Sequence, residues 1–310
     1  MKTLIIIITV FLSVSLSYSR DLNVYFISVG QGDAEYIELP NGKNALIDGG
    51  PSNTKISDFL TAHNISIIDY VVLTHPHSDH LAGLNYVFDN CQVNNFYDTR
   101  MNNSGASGDE AVRTKAQNEP NCSVYYPSAG SILSWDPNVT VKVLNAYTTT
   151  DSSSDGETIN NTSIVLQLTY NQTSVLFTGD IQDTVEASLV STYGDSLRSD
   201  VLKVAHHGSA YSSTSEFLSK VKPTRAYIEV GVGNTYGHPT EAAISRLEAV
   251  GATIYRTDTG GTLTYTISSS TSSPVKQPAT IRQNTVKPAE FHISTTSAVK
   301  KKIKELKDKK

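Results

Sequence analysis

Six consecutive residues, His75-Pro76-His77-Ser78-Asp79-His80, constrain this chain more than any other feature in it. Four metal-capable side chains fall in that stretch, directly after the apolar run Tyr70-Val71-Val72-Leu73-Thr74. Such a run is expected as a strand buried on both faces. A loop leaving its C-terminal end can turn His75 and His77 toward one cation and Asp79 and His80 toward a second beside it. Imidazole nitrogen mixed with carboxylate oxygen suits Zn²⁺, and Mn²⁺ or Fe accept the same donors.

Further chemistry-bearing residues recur at the ends of other predicted strands. Asp180 closes Val175-Leu176-Phe177-Thr178-Gly179-Asp180, where a carboxylate can bridge two cations through its two oxygens. Its ordinary alternative is to cap the helix expected from Gln182. His206-His207-Gly208-Ser209 follows the apolar run 201–205, and Gly237-His238-Pro239 follows another strand after a short loop. Asp48, before Gly49-Gly50, either accepts hydrogen bonds that orient the histidine loop or simply makes a turn. Asp33, in Gly30-Gln31-Gly32-Asp33, carries the same two readings.

Between these motifs the pattern alternates strands with helices after a strand-only start over residues 22–50, which predicts a layered α/β architecture. Strands are expected at 139–144, 163–169, 174–178, 201–205, 226–230 and 253–255, and helices at 54–63, 109–117, 182–192 and 240–250. Residues 151–160 read as a polar insertion forming a mobile loop. One domain, 20–267, accounts for all of it.

The two ends differ in kind. Lys2 and the apolar stretch 4–16, followed by Ser17-Tyr18-Ser19, predict a cleaved signal peptide over 1–19 and hence a secreted protein. From residue 268 the composition turns to Ser, Thr, Pro and Lys, which predicts a disordered tail. Residues 300–310 hold seven Lys against Glu305 and Asp308, so a chain of formal charge −5 leaves −10 on the remainder. A domain that acidic is not built to grip long nucleic acid, although the lysine-rich end could rest on an anionic surface. Asn64, Asn121, Asn138 and Asn171 stand in glycosylation triplets. Cys91 and Cys122 match no metal spacing; in a secreted chain they are expected to pair, a closure worth about 3–4 kcal/mol.

Taken in order, Val29-Gly30-Gln31-Gly32-Asp33, residues 74–83, Thr178-Gly179-Asp180, His206-His207-Gly208-Ser209 and Gly237-His238-Pro239 resemble the metallo-β-lactamase superfamily. Within it they are most similar to the ComEC-like competence-protein hydrolase branch, itself similar to teichoic-acid phosphorylcholine esterases. The resemblance implies a four-layer αββα sandwich, two divalent metal ions and phosphodiester cleavage. It implies His75, His77, Asp79, His80 and Asp180 as metal ligands, joined by one histidine of the 206–207 pair, for which His207 is the choice. Asp79, His206 and His238 are the residues expected to act in catalysis.

One departure stands out. Many superfamily members carry a metal-binding histidine about twenty residues before the bridging aspartate, where this chain has Asn160 and Asn161. The His75/His77 metal is then expected to be weakly held or more open to water, with Asn161 supporting the site from behind. The expected function is a secreted phosphodiesterase or nuclease acting on a small ester, a short nucleic acid or DNA, with no obligate protein partner. Hydrolysis of a lactam, thioester or lactone is the alternative chemistry, and a non-catalytic binding protein that keeps the fold is the alternative class.

Overall fold

The computed structural model describes residues 20–269. The signal peptide expected at 1–19 and the tail beyond 269, with its lysine run, lie outside the described residues.

Two seven-stranded sheets form the body. The first runs in the order Leu263–Ile267, Leu22–Phe26, Glu35–Glu38, Asn44–Ile47, Tyr70–Val72, Asn95–Tyr97, Ser123–Tyr125. The second runs Ile132–Asp136, Val139–Asn145, Val165–Tyr170, Thr173–Phe177, Val201–Lys203, Arg225–Ile228, Thr253–Arg256. Each begins antiparallel and turns parallel at its fourth strand or just beyond it. The parallel pairs are joined by crossovers that carry the helices, which a parallel neighbour requires, whereas short turns join antiparallel pairs such as Ile132–Asp136 with Val139–Asn145 and Val165–Tyr170 with Thr173–Phe177.

Burial follows the layers. Val24, Phe26, Ile37 and Val72 of the first sheet meet Trp135, Val141, Leu166 and Phe177 of the second in one continuous cluster. On the outer face of the first sheet, Leu46, Val71 and Phe96 pack under helices Asn53–Ala62, Leu84–Asn90 and Asp109–Asn118. On the second, Val165, Leu176, Leu202 and Ala226 pack under helices Asp183–Tyr193, Ser215–Val221 and Glu241–Ala249. The order is helix, sheet, sheet, helix. Val139–Asn145 lies toward one rim of its sheet and alternates buried with open positions, whereas Tyr70–Val72 and Val201–Lys203, covered on both faces, are buried throughout.

Two expectations fail here. The segment 151–160 is not a loose loop: Ser152–Ser153 pairs in parallel with Asn102–Asn103, and Asp155 caps helix Gly156–Asn160 by accepting from the Thr158 amide at 2.8 Å. Its polarity reflects local capping and pairing in place of a core. Cys91 and Cys122 are free thiols, because their sulfurs sit against different carbonyls, those of Ile65 (3.8 Å) and Ser123 (4.0 Å).

Phe26 stacks on Tyr227 across the sheet interface at 4.1 Å with 9° between the rings. Phe26→Ala is expected to cost about 3–5 kcal/mol, read from denaturant unfolding, because the cavity would open where both sheets meet.

Candidate metal centre

The parallel strands of both sheets end on one side, and their C-terminal loops deliver the site. Tyr70–Val72 leads to His75–His80, Thr173–Phe177 to Asp180, Val201–Lys203 to His206–His207, and Asn44–Ile47 to Asp48. This is where open α/β sheets bind ligands. Glycine lets the loops close in: a Cβ on Gly32 would run into the Asp79 carbonyl, and one on Gly49 would lie 2.6 Å from the Leu84 amide.

Asp180 sits at the middle of the cluster. Its Oδ2 lies 3.4 Å from His80 Nε2, 3.6 Å from His207 Nε2, and 4.0 Å from both His75 Nε2 and His206 Nε2. Asp79 Oδ2 is 3.3 Å from His207 Nε2, and His75 Nε2 meets His77 Nδ1 at 3.0 Å. Two overlapping donor sets result, His75/His80/Asp180 and Asp79/His80/His207. The two halves of the six-residue motif thus interleave at His80 more closely than a simple division of the loop between two cations requires.

Each inner imidazole is oriented from its far side. Asp48 accepts from the Thr74 amide (2.8 Å), the Thr74 hydroxyl (2.6 Å) and His80 Nδ1 (2.7 Å), which leaves His80 Nε2 facing Asp180. His207 Nδ1 lies 3.0 Å from both the Glu229 carbonyl and Asp33 Oδ1, so its Nε2 also faces inward. Such carboxylate and carbonyl partners fix the tautomer a ligand needs. Asp48 and Asp33 thus each contact an imidazole from its outer side, Asp48 from a left-handed backbone position, and His207 lies deeper than His206.

The buried atoms fit a cation. His80 Nε2, His207 Nε2 and Asp180 Oδ1 are buried without hydrogen-bond partners among the described residues. Unpaired buried polar atoms are costly, and a cation held between these imidazole nitrogens and the Asp180 carboxylate would satisfy them together. Burial favours neutral His207, but Asp180, Asp33 and Asp79 outweigh it and take the ring up to about 10. His80 is likewise raised, since Asp180 and Asp48 overcome its burial. Asp79 and Asp180 are held below the ordinary carboxylate range: burial opposes this, but the surrounding imidazoles prevail.

The remaining sequence-predicted residues separate by position. His77, His206 and His238 line a cavity of about 680 Å³ together with Asp79, Asp180 and Asn160. Asn161 does not reach it; its Oδ1 accepts from the Gln182 amide at 2.9 Å, bracing the turn after Asp180. Asn160 is the asparagine in the cavity, its buried Oδ1 without a hydrogen-bond partner among the described residues. His206 and His207 both adopt left-handed backbone, φ 52° and 54°. That is uncommon for residues with a Cβ and is held here by the bond from the His206 amide to the Gly179 carbonyl (3.2 Å).

Several contributors escaped the sequence reading. Ser163 Oγ receives the Asp180 amide at 3.1 Å and lies 3.3 Å from His75 Nδ1, tying the two sheets' loops together. Lys203 is fully buried, with Nζ 2.5 Å from Asp33 Oδ2 and 4.0 Å from Glu229 Oε2. Glu35 stands in the same group, pushed up to about 8 by burial despite Lys203. A lysine inside the apolar run 201–205 was the available signal; nothing local marked Ser163.

The sequence profile described as the metallo-beta-lactamase superfamily matches residues 27–231. The chain belongs to the metallo-β-lactamase superfamily. It is 26% identical over 266 residues to ComE operon protein 3 of Bacillus subtilis (strain 168), covering 80% of this chain and 33% of that protein. It is 31% identical over 240 residues to competence protein ComA of Neisseria gonorrhoeae, covering 76% and 31%. These relatives place it in the ComEC-like branch, and the chain spans about a third of their length. Among solved structures, the metallo-beta-lactamase fold protein YhfI of Bacillus subtilis matches with TM-score 0.52 at 13% identity, over 79% of this chain and 99% of that one. Igni18, a metallo hydrolase from Ignicoccus hospitalis, matches with 0.52 at 18%, over 78% and 98%. At such identities the likeness is one of fold.

Two outcomes follow from this geometry. Because His80 and His207 are raised in the metal-free protein, each must lose a proton before it can coordinate. Metal loading at pH 7 is therefore expected to release protons, and affinity to fall as pH is lowered, measured by calorimetry in buffers of different ionisation enthalpy. Lys203→Met would leave Asp33, Glu35 and Glu229 buried without their cation, at an expected cost of about 3–5 kcal/mol in denaturant unfolding.

Proposed function

We propose that this chain is a metal-dependent phosphodiesterase holding two divalent ions, of which Zn²⁺ best suits the mixed imidazole and carboxylate donors. The observation that carries the reading is that the buried His80 Nε2 and His207 Nε2, neither with a hydrogen-bond partner among the described residues, lie 3.4 and 3.6 Å from Asp180 Oδ2, beside a cavity that Asp180 and His207 line. His75, His77, Asp79 and Asp180, with His80 and His207, are the residues that would hold the ions. Bound there, the ions would supply Lewis acidity, acidifying water and offsetting charge on a phosphoryl group.

The chain's own residues supply the remaining parts. Asp48 and Asp33 hold the imidazoles of His80 and His207 so that neither spends its inward nitrogen elsewhere. His206, at the cavity wall with its Nε2 4.0 Å from Asp180, is positioned to pass a proton to the departing oxygen. His238 is kept neutral near pH 7: burial first, then the charges of His206 and His207, lower it to about 4. A neutral imidazole there offers one N–H to a phosphoryl oxygen. None of the cavity-lining residues is Lys or Arg, so no ammonium or guanidinium of the lining meets the anion there. Secretion and contact of the lysine-rich end with an anionic surface belong to the same proposal.

Hydrolysis of bis-p-nitrophenyl phosphate by metal-loaded protein is the test. Turnover is expected, lost with a chelator and restored by added metal. Asp79→Ala should lower kcat at least about a hundredfold, the scale of losing a group that stabilises the transition state. Fully metallated protein that leaves every phosphodiester intact, or that prefers nitrocefin or a thioester, would refute the reading.

A further inference from the structure

The cavity has an outer tier that metal chemistry does not use. Tyr211 and Tyr236 line it, yet they are 68% and 71% exposed. Other tyrosines of the chain are exposed too, but these two share a cavity with the candidate centre, where an amphipathic ring can receive a ligand. Neither is on a loose loop. Asn234 accepts from the amides of Tyr236 and His238 at 3.1 Å and donates to the Gly231 and His238 carbonyls at 3.1 and 2.7 Å. The Tyr211 carbonyl accepts from the Asp183 amide at 3.0 Å, and its own amide donates to Ser209 Oγ.

The Tyr236 ring lies 28° from the plane of His238, with centroids 6.0 Å apart. His238 in turn is 5.5 Å from His206 and 6.4 Å from His207. A line of rings thus leads outward from the metal ligands and ends on an open tyrosine face. A flat heterocycle can lie on that open face as the His238 ring lies beside Tyr236, and the side-chain amides of Gln31 and Gln182 in the same cavity lining can meet the polar edge of a base. The cavity lining carries Glu157 and no Lys or Arg, and the sequence outside 300–310 has a formal charge of −10. A long polyanion would find nothing to hold its further phosphates.

Resting on the phosphodiesterase reading, we propose that Tyr236, with Tyr211 on the same rim, forms a stacking subsite for a single nucleobase, so that the substrate is a short nucleotide phosphodiester. The phosphate sits at the ions, one nucleoside bridges outward past His238, and the base lies on Tyr236. Specificity then comes from the base and its one phosphodiester, not from a track along a strand.

The test compares thymidine 5′-(p-nitrophenyl) phosphate, methyl p-nitrophenyl phosphate and p-nitrophenylphosphorylcholine on the metal-loaded full chain; the shared leaving group cancels in the ratios. The thymidine ester should exceed the methyl ester about tenfold in kcat/KM, carried by KM. Tyr236→Ala should bring that ratio close to one, while Tyr236→Phe, which keeps the π-face, retains it. In parallel, calorimetry should show AMP binding more tightly than inorganic phosphate, with the preference lost in Tyr236→Ala. A ratio indifferent to Tyr236→Ala, or a choline ester preferred to the thymidine ester, overturns the subsite. If no ester is turned over, the phosphodiesterase reading fails, and the comparison of AMP with phosphate still decides whether a base stacks on Tyr236.

Discussion

Carboxylates and imidazoles gathered in a dry cleft do not stay aimed at one another unless each is gripped from behind. The bond from His80 to Asp48 is the clearest instance: one buried carboxylate binds the Thr74 amide, the Thr74 hydroxyl and the ring, and so ties a strand end, a turn and a ligand into one unit. Asp33 does the same for His207, with Lys203 gripping Asp33 in turn. Without these outer bonds the inward nitrogens would satisfy themselves locally, and the convergence on Asp180 would be lost.

Much of this was readable in the sequence because the signal was local. The six-residue histidine motif, Asp180 after its apolar strand, and His206-His207 after theirs each sit where a short run of letters predicts a strand end, and the structure brings those ends together. The two-sheet architecture was legible for the same reason, since alternation and apolar runs report which strands are covered on one face or two. Asp48 and Asp33 were recognisable as candidates, but a turn aspartate and an orienting aspartate look alike until their partners are known.

What sequence could not provide was pairing at a distance. Ser163 works only because the Asp180 amide and the His75 ring come to it from separate loops. Glu35, within its strand, and Glu229, just past the end of Arg225–Ile228, are unremarkable letters that become a buried group only when both come together at Lys203. Of two adjacent asparagines, helix geometry turns Asn160 to the cavity and Asn161 to the Gln182 amide. The segment 151–160 looked unstructured because its order comes from a cap and a two-residue pairing, neither of which needs apolar residues.

The donors are contributed by both sheets: His75, His80 and Asp79 follow a strand of the first, and Asp180 and His207 follow strands of the second. Cations held by these residues would act as rivets across the seam. Anything that binds the assembled state alone stabilises it by mass action, so the two halves would be held together as much by the supply of metal as by the apolar layer beneath. Starved of metal, the same chain would keep its architecture but lose the clamp at its mouth, and separation of the halves would begin there.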